Sequence, residues 1–232
     1  MHELDALILK HGAQGFEKQV HFADIIGDTM PAWQLDVSNG TLHLGEVTFG
    51  MQLLGTEAEA TETWLWAWAN EQSNLPDAVL KIANQMRDYG EENSIEALTK
   101  STTIPVDDPV SGHRFGLLAS ALFGADAYFR APYEGGAAFL SLKDDDFPAD
   151  DRHPILRITS TFPQFIQSMR IFDHQTALQS YANYHNLKTA LTREEGIVTL
   201  TAKHPDGSSL TAQFDARDRL TQLQSNIVGD SQ

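Results

Sequence analysis

The chain has 232 residues, with 16 Lys and Arg against 32 Asp and Glu, 41% hydrophobic residues and no cysteine. A polypeptide of this length buries roughly 70% of the surface its unfolded chain exposes, so one or two hydrophobic cores form without cross-links. The missing thiols exclude disulfide scaffolds, thiolate zinc sites, iron–sulfur clusters and cysteine nucleophiles together. A formal net charge of -16 sets any approach to a phosphate backbone against repulsion, because that affinity comes from Lys and Arg displacing counterions. Arg87, Arg114 and Arg130 are scattered among acids, so neither a nucleic-acid partner nor an anionic membrane surface is expected. Such charge either simply keeps a protein soluble or steers a basic partner, such as a cationic toxin, to an acidic face.

The N-terminus, Met1-His2-Glu3-Leu4-Asp5, opens with acids where a secretory signal has bases. The longest apolar run, 64–69, is far short of the roughly 20 residues that cross a bilayer. A cytoplasmic protein is expected. Leu4, Leu7, Ile8, Phe16 and Val20 recur at helical spacing, with Gly12 and Gly15 weakening the middle. From Trp33 the period becomes two: Trp33, Leu35 and Val37 alternate with polar residues up to a Ser38-Asn39-Gly40 turn. Leu42 and Leu44 continue the alternation, and Val47, Phe49, Met51 and Leu53 extend it to Gly55. The segment 61–69 reads as a fourth strand, completing an antiparallel meander.

A helix is expected next, capped by Asn74, opened by Pro76 and Asp77, and stopped by Gly90. Another follows Asp107-Asp108-Pro109 and ends at Gly124. Residues 128–130 and 138–142 flank Tyr133-Glu134-Gly135-Gly136 as a hairpin. The polar run 144–154 reads as an acidic linker separating a first domain, 1–143, from a smaller unit, 155–232. That unit has helical segments around Phe165 and Leu178, alternating strands at 198–202 and 210–214, and a third strand at 219–223. The fold class is therefore α+β: an antiparallel meander of about four strands plus a hairpin packed against helices, followed by a smaller helix-plus-antiparallel-hairpin unit.

The most distinctive segment is Thr63-Trp64-Leu65-Trp66-Ala67-Trp68-Ala69-Asn70. If it is extended throughout, Trp64, Trp66 and Trp68 share one face. Such an aromatic shelf stacks a sugar, a base or a cation. The opposite face, Leu65, Ala67 and Ala69, is also apolar, which is the pattern of a strand covered on both sides, and the core reading is preferred. This strand, preceded by Leu54-Gly55-Thr56-Glu57 and followed by Gly124-Ala125-Asp126-Ala127-Tyr128-Phe129-Arg130-Ala131-Pro132, resembles an uncharacterised bacterial family over residues 20–143. The resemblance implies a fold unit and carries over no catalytic residue.

No nucleophile elbow, dinucleotide fingerprint or phosphate loop occurs. His174, Tyr181 and His185 share a helix face, but three turns place the outer two about 16 Å apart, too far for one ion. Counting an EF-hand from Asp144 puts Ala149 and Ile155 where glycine and glutamate are required. No catalytic residue, metal or cofactor is assigned. The expected function is a noncatalytic interaction module, immunity-protein-like or chaperone-like, binding a basic protein. The alternative is a small-ligand binder or unrecognised hydrolase with a cleft between the two units, its mouth formed by Trp64, Trp66 and Trp68 or by Arg130 and Glu134.

Overall fold

The computed structural model describes residues 3–27, 29–106 and 111–228, so the expected helix start at Asp107-Asp108-Pro109 lies outside the described residues. The chain forms two compact units, Met1–Ile8 with Lys18–Ala149 and Leu9–Glu17 with Asp150–Gln232. Helix α1, Glu3–Ile26, is unbroken, and residues 9–17 of it belong to the second unit. Gly12 and Gly15 are buried within it, so burial outweighs the roughly 1 kcal/mol that each costs relative to alanine.

The first unit is built on a seven-stranded antiparallel sheet. Its strands are β1 (Trp33–Asp36), β2 (Thr41–Leu44), β3 (Val47–Ala58), β4 (Thr63–Trp66), β5 (Ile104–Pro105), β6 (Ala127–Tyr133) and β7 (Gly136–Lys143). The spine is β3. One edge of it pairs with β2 through 47–50 and with β4 through 55–58, while the other edge pairs with β7 through 50–58. A bulge between Leu53 and Gly55 inserts Leu54, and both leucines are buried there.

Helix α4, Gly112–Leu122, packs on this sheet through two glycines. A Cβ on Gly112 would come within 2.4 Å of the Phe139 ring, and one on Gly116 within 2.4 Å of Tyr128. Under α4, the Phe115 ring centroid lies 4.9 Å from that of Trp64 and 4.5 Å from that of Trp66. A second apolar cluster joins Leu42, Phe49, Met51, Phe129, Leu140 and Leu142 to Phe22 of α1. Phe147, inside the acidic run, packs against this cluster and stacks on Phe22.

Two expectations are corrected in this unit. The strand read as 61–69 ends at Trp66, and 67–69 curl into a 3₁₀ turn, so Trp68 leaves the line of Trp64 and Trp66. The helix expected from Asn74 begins at Lys81: Asn74 is left-handed, Pro76 is extended and only a 3₁₀ turn covers 77–79. Gly90 does not stop this helix, α2 (Lys81–Asn93), which ends instead at left-handed Ser94. Gly90 is a contact residue, since a Cβ there would lie 2.6 Å from Leu98 of the short helix α3 (Glu96–Thr99).

The second unit contains α5 (Pro154–Ser168), α6 (His174–Tyr184) and a four-stranded sheet ordered β11-β10-β9-β8. Its strands are β8 (Lys188–Glu194), β9 (Ile197–Lys203), β10 (Ser209–Phe214) and β11 (Leu220–Asn226). Ile155, Ile158, Phe162 and Phe165 form the buried stripe of α5, at spacings of three and four. Val198, Leu200, Ala202, Leu210, Ala212 and Phe214 form the buried face of the sheet. Strand β8 was not anticipated, and α5 starts earlier than its expected segment.

Trp66 is fully buried and its indole N–H donates to the Ala97 carbonyl at 2.9 Å. Trp66→Ala is expected to cost about 3–5 kcal/mol in equilibrium denaturation, the range for deleting a large buried aromatic. Stability within about 1 kcal/mol of wild type would contradict this core assignment.

Candidate functional site

At the end of β3 the sheet opens into a cavity of about 380 Å³. Glu57, Glu59 and Glu62 line it together with Arg130 of β6, Val106 and Ala137. Strand geometry brings these residues together. Glu57 faces Ala137 across β3 and β7, and Glu59 follows two positions on, its N–H donating to the Gly135 carbonyl at 2.9 Å. Glu62 is held left-handed (φ 48°) in the turn into β4, where its carbonyl accepts from the Val106 N–H at 2.7 Å.

The three carboxylates are not equivalent. Glu57 Oε1 accepts the Gly112 N–H at 2.6 Å, placing its negative charge at the positive end of α4. Among the described residues Arg130 is the single cation in the lining, and it stands 3.7 Å from Glu59 through Nη2. That separation is longer than a charge-assisted hydrogen bond, and the Glu59 side chain is 65% exposed. The cavity thus presents more carboxylate than its own guanidinium neutralises.

Of the residues singled out from the sequence, only Arg130 reaches this cavity. Trp64 and Trp66 are 0% exposed and turn no ring face to solvent. Trp68 is half-buried beneath the Arg87 guanidinium, 5.5 Å from its ring centroid. Glu134 sits exposed at the β6–β7 turn, outside the lining. The sequence reading ends this strand at Gly55, whereas β3 runs to Ala58 and so carries Glu57 into the sheet.

Two polar clusters lie in the second unit. Among the described residues, one His/Asp/Glu group, His153, His204 and Asp206, has ligand atoms within 4.8 Å of one another. Its hydrogen bonds leave little room for an ion. The Ile155 N–H donates to His153 Nδ1 at 3.1 Å, so the ring proton is on Nε2, facing Asp206 Oδ2 at 3.0 Å. His204 Nδ1 faces Asp206 Oδ1 at 2.9 Å. The cluster closes as a bridge that caps α5, and a metal at Nε2 would have to displace that proton.

The other cluster is buried. Tyr181 donates to Glu17 Oε2, His185 Nε2 lies 2.7 Å from the same oxygen, and Arg157 Nη1 is 3.3 Å from Oε1. Tyr181 and His185, considered above as partners of His174, converge on Glu17 instead. His174 accepts the Leu220 N–H at 3.0 Å. Burial alone would push the Glu17 carboxyl up, but hydrogen bonds from His185 and Tyr181 and the Arg157 charge hold it below its ordinary 4.5. A depressed carboxyl stabilises the fold above its unfolded value and loses that contribution as pH falls through the folded one.

Residues 5–145 match a family model described as a family of unknown function (DUF6882). The chain belongs to this family. The matched span includes the whole seven-stranded sheet and its carboxylate-lined cavity. No curated protein and no solved structure matches the chain. Among the described residues, no helix is long and apolar enough to cross a membrane.

Glu17→Ala, which removes the carboxylate partner of the buried Tyr181 hydroxyl and of the half-buried Arg157, is expected to cost about 3–5 kcal/mol. In Glu17→Gln the loss of stability below pH 4.5 is expected to be shallower than in wild type, because the depressed carboxyl is gone. Denaturant titrations at pH 7 and at steps below 4.5 check both, and parallel pH profiles for the two proteins would refute the assignment.

Proposed function

We propose that this protein is a noncatalytic interaction module, of the kind an immunity protein or a secretion chaperone represents, whose family domain binds a basic protein. The observation that carries the reading is the cavity at the end of β3, where three glutamates meet one loosely paired arginine. A partner's lysine or arginine would complete the neutralisation that Arg130 begins. The charge distribution supports this, since residues 1–143 hold 20 acids and 8 bases, a net of -12, against 12 acids and 8 bases, a net of -4, in 144–232. Long-range attraction from such a surface raises association rates for cationic partners.

A second reading rests on the cavity's size. About 380 Å³ falls within the roughly 300–1,000 Å³ of small-molecule sites, and a small cationic metabolite would meet the same carboxylates.

Affinity capture from the native host, followed by association kinetics across a salt series, separates these readings. The captured partner should be basic. Its on-rate should fall as the screening length shrinks from about 30 Å at 0.01 M to about 10 Å at 0.1 M salt. The double variant Glu59→Gln/Glu62→Gln should bind more slowly with a weaker salt dependence, as expected for rim charges. An acidic partner, or an on-rate indifferent to salt, contradicts the proposal; recovery of a small cation alone favours the second reading.

A further inference from the structure

Among the described residues the sheet of the second unit ends at β8, which pairs with β9 along one edge only. Thr189 is half-buried and the other six residues of β8 are exposed. An open edge of this kind presents N–H and C=O groups that template another strand.

The turn fixes which groups are free. Glu195 and Gly196, with φ of 51° and 82°, form a two-residue connection between Glu194 and Ile197, which face each other. In such a primed turn the flanking pair exchanges backbone hydrogen bonds, and every second pair does so thereafter. Glu194, Thr192, Ala190 and Lys188 therefore direct their backbone groups to β9. Arg193, Leu191 and Thr189 direct theirs to the open edge.

Strand β8 is complementary to itself about Leu191. An antiparallel second copy sets Leu191 against Leu191, Thr189 against Arg193, Ala190 against Thr192, and Lys188 against Glu194. The residues with free backbone groups then face one another, and unlike charges meet at both ends. Leu191 is 42% exposed and faces the fully buried Leu200 across β9, so the central pair would join two cores. In a chain of net charge -16, this strand brings Lys188 and Arg193 with a single Glu194, and docking there does not oppose acid to acid. The other edge, β11, has no charged residue to set a register.

We propose that two copies of this chain associate through antiparallel pairing of β8 centred on Leu191, producing one continuous eight-stranded sheet. Sedimentation equilibrium of the full chain should show a reversible dimer of twice the 25.7 kDa chain mass. Leu191→Lys, which places like charges at the two-fold centre, should leave monomer. Lys188→Glu and Glu194→Lys should each weaken the dimer about tenfold, since two cross-strand pairs become repulsive. The double reversal Lys188→Glu/Glu194→Lys should restore it, and Gln224→Lys on β11 should leave it unchanged, with circular dichroism confirming that every variant is folded. A wild-type chain that stays monomeric at hundreds of micromolar, a dimer that survives Leu191→Lys, or a double reversal that does not recover overturns the proposal.

Discussion

The architecture of the family domain depends on how closely the Trp64 indole approaches the backbone of β3. A Cβ on Gly55 would lie 2.4 Å from Trp64 Cζ2 and 2.5 Å from the Leu65 carbonyl oxygen, closer than side-chain carbons come. The indole therefore lies directly on the spine. Phe115 of α4 and Phe139 of β7 close around the same ring. Together with the approaches of Gly112 to Phe139 and of Gly116 to Tyr128, it seats α4 on the sheet, where the Gly112 N–H meets Glu57, two residues beyond Gly55 on the same strand. The carboxylate-lined cavity is thus an outcome of core geometry.

Charge works differently in the two units. In the family domain the acids gather at an exposed strand end, where water and salt screen them; their effect belongs to recognition and to association rates. Glu17 in the second unit is buried, and its hydroxyl, imidazole and guanidinium partners supply the hydrogen bonds that water would otherwise give. There a single carboxylate matters for stability.

The strands of the family domain were legible because their apolar residues alternate. Leu42 with Leu44 and Phe49 with Met51 each place two side chains on one buried face. The hairpin at Gly135 and Gly136 was legible from turn chemistry. Where the reading departed from the structure, the physical causes are specific. Nothing local marks the end of β4 at Trp66, since Ala67 and Trp68 continue the apolar pattern. Gly90 resembled a helix stop because a glycine chosen for close helix approach and one chosen for a left-handed turn are the same letter. Strand β8 escaped notice because its exposed edge lacks the alternating burial that periodicity detects. Of the cavity, Arg130 alone was anticipated. Glu57, Glu59 and Glu62 acquire meaning only from the pairing of β3 with β7 and from the β3–β4 turn, and Glu17 only from residues 140 to 168 positions away.

The account stands on the contact between Gly55 and Trp64, and Gly55→Ala tests it most directly. One added methyl group, with no charge and no cavity created, should force β3 and the indole apart. Equilibrium denaturation should register a loss of at least about 1–3 kcal/mol, the cost of overpacking a tight core, with a red shift in tryptophan emission as the indole environment loosens. A variant with wild-type stability and unchanged emission would contradict the claim that this approach organises the domain.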